Sequence, residues 1–462
     1  MEHVLEAGVL VIGGGPAGLF CALNCARQKR PVVLLEKMPS CGRKLLITGS
    51  GQCNLTHEGD ISAFFSRYGD HGAFLRPALL NFSNRNLVAF FESKGIPMTT
   101  LPGGKIFPSS MKASDILGVL LDECSRSGVG IRCGEPVQQV IRKGEKFIVT
   151  TLHREHFDQG GRTTREDPGN STGQDPGSFT GELSVRDKVP GPGSITRAEG
   201  RDCSRYSADF LVIATGGASY PATGSSGDGY RMLRDLGHPV TEIGPALVPL
   251  VIDHYPFTGM AGISFERVKI SVFRSGRKVR EGTGDLLFTH EGLSGPGILD
   301  LSRYIRPGDS LQVSFLPGRD RADVQEMLLE ALAKDGSRQV KSILRDLSLP
   351  ERLARRLPEL GGIPADRTAA HITKKERNVL VSLISEFRFE VLSLAGFGQA
   401  MVTRGGAALD AVDPRTMRSR PVPGLYIIGE ALDIDGDTGG FNLQAAFSTA
   451  ALAAADITKR LG

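Results

Sequence analysis

Six residues near the amino terminus, Gly13-Gly14-Gly15-Pro16-Ala17-Gly18, place glycines at the first, third and sixth positions of a GxGxxG turn. That spacing suits the cradling of a pyrophosphate. The first glycine permits a tight turn, the second lets phosphate oxygens approach the backbone, and the third lets a helix pack closely on a strand; the helix N-terminus then faces the phosphates. Glu36 follows 21 residues after Gly15, at the end of the next apolar run. A carboxylate there accepts a hydrogen bond from a ribose 2′-hydroxyl and repels a 2′-phosphate. The chemistry read from these residues is dinucleotide binding, of FAD or of NAD.

Other candidate groups carry weaker signals. His290 and Ser294, in the stretch Phe288 to Pro296, suit either an acid/base pair or a polar turn. Cys41 and Cys53 stand twelve positions apart, whereas the redox pair of disulfide reductases stands five apart, so they read as ordinary thiols. Cys21 and Cys25 share a helix face with no His or carboxylate beside them, which fits small core residues better than metal ligands. Asp433-Ile434-Asp435-Gly436-Asp437 has its glycine fourth, not sixth as a calcium-binding EF-hand loop requires. No metal site is expected.

The elements that position these groups follow from the apolar pattern. Val9–Ile12 and Val32–Leu35 are short continuous apolar runs, the kind buried on both faces of a parallel sheet, and the stretch from Pro16 to about Lys29 is helical. Further helices are expected near 85–94 and 114–125, and strands within 137–151 and at Phe210–Ala214. Residues 153–205 are rich in Gly, Pro, Ser, Thr, Arg and Asp and nearly devoid of large apolar side chains. Such a segment buries too little to offset its ordering entropy, and is expected to be a disordered insertion in a β-hairpin. Alternating apolar residues, such as Val268, Ile270 and Val272, predict an inserted β domain over 246–318. Residues 319–389 read as an inserted helical domain, and the ends of the chain, 1–245 and 390–462, as one discontinuous nucleotide domain. Leu425–Ile428 is a strand, followed by a Gly/Asp-rich loop and an Ala-rich helix from Phe441.

The 462 residues have a formal charge of only +4, with 40% apolar residues, no Trp and seven cysteines lacking a CxxC pair. These features predict reduced thiols in a cytoplasmic protein with neither nucleic acid nor membrane as partner. The glycine count, 58, is nearly double the roughly 7% of an average chain. Val212-Ile213-Ala214-Thr215-Gly216-Gly217 and Tyr426-Ile427-Ile428-Gly429-Glu430 are two further strand-then-glycine segments far downstream. With no second GxGxxG after residue 18, this is the layout of the two-dinucleotide-binding-domain flavoproteins without a dedicated NAD(P)H domain. The fold class expected is α/β, a discontinuous Rossmann-like FAD-binding domain with an inserted β-barrel-like and helical region.

Four long motifs then carry a resemblance. GRKLLITGSGQCN at 42–54, FPSSMKA at 107–113, ATGGASYPATGS at 214–225 and GEALDIDGDTGGFNLQ at 429–444 together resemble the HI0933-like flavoproteins, also labelled aminoacetone oxidase-like or BaiN-like. The resemblance implies tightly bound FAD contacted by Gly13, Gly15, Pro16, Ala17, Gly18, Glu36 and Lys37. It also implies Arg43 and Lys44 near adenine or phosphates, Val137 offering its backbone to adenine, and further contacts from Gly51, Asn54, Thr215 and Gly216. Gly429, Glu430, Gly439, Gly440, Asn442 and Leu443 would lie at the flavin end. Gln52 and His57 depart from the family's usual Arg and Asn. Tyr220 suits either a proton donor over the flavin or a structural hydroxyl.

The activity expected is an FAD-dependent oxidoreductase passing hydride through flavin N5 from transiently docked NAD(P)H to an activated small-molecule acceptor. The alternatives are an amine oxidase using O₂ and a flavin-containing RNA-modifying or RNA-binding protein; residues 319–388, with 14 basic and 11 acidic side chains, argue against the last. Glu36→Arg is expected to lower FAD occupancy of the purified protein, and unchanged flavin content would refute the ribose assignment.

Overall fold

Continuous apolar runs become the centre of a parallel sheet. The computed structural model describes residues 4–26, 30–152 and 203–462. The opening strand, Val4–Ile12, lies between Val32–Glu36 and Arg205–Ile213, parallel to both. Gly130–Cys133 extends the sheet beyond Val32–Glu36, and Leu425–Ile427 pairs in parallel with Leu211–Ile213. Both faces of these strands are covered, which is why Val9, Leu10, Val11, Leu34 and Leu211 are fully buried. The helices Pro16–Cys25 and Phe441–Leu461 pack on each other, and Cys21 and Cys25 are buried core side chains there.

The hairpin Val137–Lys143 and Lys146–Thr151 adds antiparallel strands, with Phe147 opposite Ala208. The insertion expected over 153–205 falls almost wholly outside the described residues. The helices expected near 85–94 and 114–125 are found at Asn84–Glu92 and Ala113–Arg126.

Between residues 250 and 394 the chain forms a closed six-stranded barrel. Its strands run in the order Leu250–Ile252, Gly292–Ser294, Arg277–Phe288, Ser264–Arg274, Ser310–Val313 and Phe387–Leu394. Phenylalanines fill it: Phe257 stacks on Phe288 at 4.8 Å, and Phe315 and Phe389 close around them. Four helices lie between the last two strands, two of them, Arg321–Lys334 and Lys374–Ser385, opened by capping boxes at Asp320 and Thr373. One apolar cluster runs through barrel and helices together. The boundary expected between 389 and 390 falls inside the strand Phe387–Leu394, which completes the barrel.

The chain leaves the sheet unit through Gly244–Ala246 and returns through Val402–Arg404, and these two segments pair antiparallel. Among the described residues no helix is long and apolar enough to cross a membrane.

In the barrel a half-exposed arginine holds a buried carboxylate. The Arg274 guanidinium grips both Asp309 oxygens at 2.8 Å, and the Asp309 side chain is only 3% exposed. Burial disfavours that carboxylate, yet the bonds from Arg274 and the Arg306 N–H hold it below the usual range. Arg274→Ala is expected to destabilise the fold by about 2 kcal/mol at neutral pH, measured by urea unfolding. Because the folded-state pKa is depressed, the wild-type advantage should vanish as pH falls through it.

Candidate functional site

The glycine turn is built by close backbone approach. Gly13 has φ +112°, and a Cβ there would lie 2.4 Å from the Ala214 carbonyl oxygen; one on Gly18 would lie 1.9 Å from the Gly13 oxygen. Neither position admits a side chain. Gly15 faces open space, with nothing within 4 Å of where its Cβ would be. Pro16 occupies the first helical turn, where no N–H is needed.

Glu36 closes on this turn. Its Oε2 accepts from the Gly14 N–H at 2.7 Å and its Oε1 from the Met38 N–H at 2.8 Å. A carboxylate offers about four acceptor positions, which leaves two for further donors. Gly13, Glu36, Lys37, Val137 and Thr215, five of the expected contacts, line one cavity with Glu135. Lys37 ties its wall together by bonding Ser226 and Asp228. Glu135, which sequence reasoning passed over, is buried and receives hydrogen bonds from Tyr206 (2.7 Å) and Thr151 (3.2 Å).

Lys44 points elsewhere. Its ammonium bonds Ser219 Oγ at 2.5 Å and Glu430 Oε2 at 2.8 Å, while Glu430 Oε1 accepts from Ser219 and from the Thr403 N–H at 2.9 Å each. One ion pair thus joins three motifs that are remote in sequence. Gly429 packs its backbone against Ala17. Arg43 is exposed and does not line the cavity; Gly51 and Gly216 sit in left-handed turns.

Gly439 and Gly440 turn the chain into the last helix with φ of +119° and +91°, and a Cβ on Gly440 would lie 2.7 Å from the Thr56 backbone. Asn54, with its amide oxygen toward the Gly440 N–H (3.3 Å), meets the same turn. Asn442 folds back on its own loop, exchanging hydrogen bonds with Gly436 at 2.7 and 2.8 Å, and Leu443 is half-buried beside it. His57 stacks on Phe441 with ring centroids 5.3 Å apart.

The aspartates of this loop are held by the inserted unit. Arg303, just past the helix Pro296–Ser302, is 6% exposed; it lies 3.1 Å from Asp435, outside hydrogen-bond geometry, donates to the Asp435 carbonyl, and bonds Asp437 at 2.9 Å. Asp300, on that helix, accepts from the Thr438 N–H at 2.7 Å and its hydroxyl at 3.3 Å. Burial pushes Asp300 and Asp435 up to about 6, the Asp437 charge adding to the shift of Asp300. Asp433 accepts from Thr241. These carboxylates therefore serve protein partners, and among the described residues no group of three potential ligands is arranged for a metal. Asp300 and Arg303 were not singled out from sequence; their one local signal is an i, i+3 spacing after a Gly-Pro turn.

Neither candidate acid/base residue reaches this network. Tyr220 is half-buried in a left-handed turn and, among the described residues, contributes only backbone bonds, to Phe397 and Thr223. His290 is exposed between two barrel strands, and its ring makes no hydrogen bond or ion pair among the described residues.

The sequence profile of the HI0933-like protein Rossmann domain matches residues 7–160 and 187–456. The chain belongs to this family. Relatives include the 3-dehydro-bile acid delta(4,6)-reductase of Clostridium scindens, 29% identical over 96% of this chain and 97% of the relative. The ribosomal RNA dihydrouridine synthase of Escherichia coli is 30% identical over 97% of each chain. Among solved structures, the 3-ketosteroid-delta4-(5alpha)-dehydrogenase of Rhodococcus jostii aligns over 98% of each chain with 14% identity and a TM-score of 0.46.

This HI0933-like protein is a flavin-dependent oxidoreductase, and the residues present suit FAD. The side-chain-free cradle at Gly13 and Gly18, the open face over Gly15 and the acid with spare acceptor positions are what an adenosine pyrophosphate requires. Arg303→Met is expected to cost about 3–5 kcal/mol at neutral pH by stranding buried carboxylates. The loss should shrink as pH falls below about 6, where Asp435 is neutral; thermal unfolding across pH reads both effects.

Proposed function

We propose that this flavoenzyme saturates a carbon–carbon double bond conjugated to a carbonyl, using NAD(P)H that docks transiently, and that FAD is held by the residues described above. The relatives support the bond type. A bile acid delta(4,6)-reductase and a dihydrouridine synthase act on different molecules, yet each name denotes reduction of an activated ring C=C.

The observation that carries the reading is the seam between the two units. The loop 433–440 stands there, with Asp300 and Arg303 of the inserted unit on one side and Asn54 and Tyr68 of the sheet unit on the other; the Tyr68 hydroxyl donates to the Phe441 carbonyl at 2.8 Å. FAD, when bound, supplies two-electron transfer to such an acceptor. The chain's own part is to fix the flavin-end turn from both sides and to keep water from its aspartates. Asp300 and Arg303 are positioning residues in this reading, since both act on the loop. Only one GxGxxG cradle is encoded, which supports a nicotinamide that visits and leaves.

An acceptor within RNA has specific support in the dihydrouridine synthase relatives, because a uracil ring presents the same conjugated bond. The balanced charge of residues 319–388 favours a free small molecule instead.

Anaerobic mixing of the purified yellow protein with NADH or NADPH is expected to bleach its visible absorbance. An α,β-unsaturated ketone should then restore the colour without oxygen, whereas restoration only by uridine-containing RNA would shift the acceptor to RNA. Failure of both nicotinamides to bleach the protein refutes the reductase, and peroxide release with aminoacetone in air would replace it with an oxidase.

A further inference from the structure

Two cysteines remote in sequence meet beside Glu36. Cys41 and Cys133 have their sulfurs 3.8 Å apart; Cys41 is buried and Cys133 is exposed. Cys133 ends the strand Gly130–Cys133 and stands in register with Glu36. Cys41 lies under the glycine turn: its sulfur would be 2.6 Å from a Cβ on Gly14, and the Gly42 N–H donates to the Gly14 carbonyl at 2.9 Å. The Gly134 and Glu135 N–H groups bond the Met38 and Glu36 carbonyls at 3.0 Å each. Both thiols are therefore anchored to the two halves of the clasp formed by Gly14 and Glu36.

We propose that Cys41 and Cys133 form an oxidisable dithiol, a modification site for hydrogen peroxide, whose disulfide loosens the grip on the adenosine end of the dinucleotide. The loosening rests on the reading of Glu36 as the ribose ligand; the bridge itself does not. Cys133 is the attacking sulfur. It is accessible, and the Cys41 thiol directed at it pulls its pKa down to about 7, which favours the thiolate. Its sulfur attacks one peroxide oxygen and the O–O bond breaks, which leaves Cys133 as a sulfenic acid; the released hydroxide takes up the proton the thiol gave up and departs as water. The Cys41 sulfur then attacks the Cys133 sulfur; the S–S bond forms and the second oxygen leaves as water. Two thiols and one peroxide give one disulfide and two waters.

A disulfide requires about 2.05 Å between sulfurs. Closing from 3.8 Å draws Cys41 toward the strand end and away from Gly14, straining the bonds of Gly42 and Glu36 to the glycine turn.

The test treats the FAD-loaded protein with hydrogen peroxide, blocks remaining thiols and digests it without reductant. Mass spectrometry should find peptides joined through Cys41 and Cys133, absent after dithiothreitol and absent in Cys133→Ser. Release of FAD on dilution should accelerate about tenfold in the oxidised wild type, as for loss of one charge-assisted hydrogen bond, and not in oxidised Cys133→Ser. Progression of Cys133 to sulfinic acid without the joined peptide overturns the site. A joined peptide with unchanged release, or equal release in wild type and Cys133→Ser, overturns the loosening. Flavin content of Glu36→Arg reports on the ribose reading separately.

Discussion

A guanidinium cannot shed its charge in a protein, and Arg303 is almost wholly removed from water. Everything around it must compensate. Asp435 and Asp437 supply the opposite charge, and the Asp435 carbonyl takes a further N–H. Because Arg303 belongs to the inserted unit and the aspartates to the loop before the last helix, this compensation fixes one unit against the other. It also fixes the turn at Gly439 and Gly440, since Thr438 is bonded to Asp300 only three residues before Arg303. The return strand joins in: Arg404 donates to the Arg303 carbonyl. A loop of aspartates and glycines would otherwise have little reason to hold one conformation.

At the other end of the site the constraint is steric. Gly13 and Gly18 are packed so closely that only hydrogen fits, which welds the first turn of the helix to the strand Arg205–Ile213 through Ala214. Glu36 then reaches back to Gly14. The glycine excess is thus partly a record of backbone-to-backbone contact, and the acid at the strand end serves the turn's geometry before it serves any ligand.

Local signals made the sheet unit legible. Val9–Ile12 and Val32–Leu35 are apolar without interruption, and the GxGxxG turn between them has one structural use. The strand Val4–Ile12 nonetheless begins earlier than its apolar run, because Val4 to Ala7 pair with Arg205 to Ala208, an arrangement set by residues two hundred positions away. The strand Phe387–Leu394 alternates buried and exposed side chains as a strand should, yet it follows directly on a helix. Its partners, Ser310–Val313 and Leu250–Ile252, lie far upstream, so its membership of the barrel could not be read locally. The same holds for the site. Glu36 was legible because its partner is a motif, whereas Asp300 and Arg303 acquire meaning only from a loop more than 130 residues later.

The contacts of Lys44 with Ser219 and Glu430, and of Asp300 and Arg303 with the loop 433–440, are all of long sequence separation, so each closes a large loop whose entropy must be spent before the bond returns anything. Those of Asp300 and Arg303 also require the sheet unit and the inserted unit both to be in place. The glycine turn and its acid, by contrast, span only Gly13 to Glu36, short enough to organise early. A dinucleotide that touches both ends binds the finished arrangement better than any partial one, and so stabilises it by mass action. FAD placed as proposed would join the clasp at Gly14 and Glu36 to the charge network around Arg303.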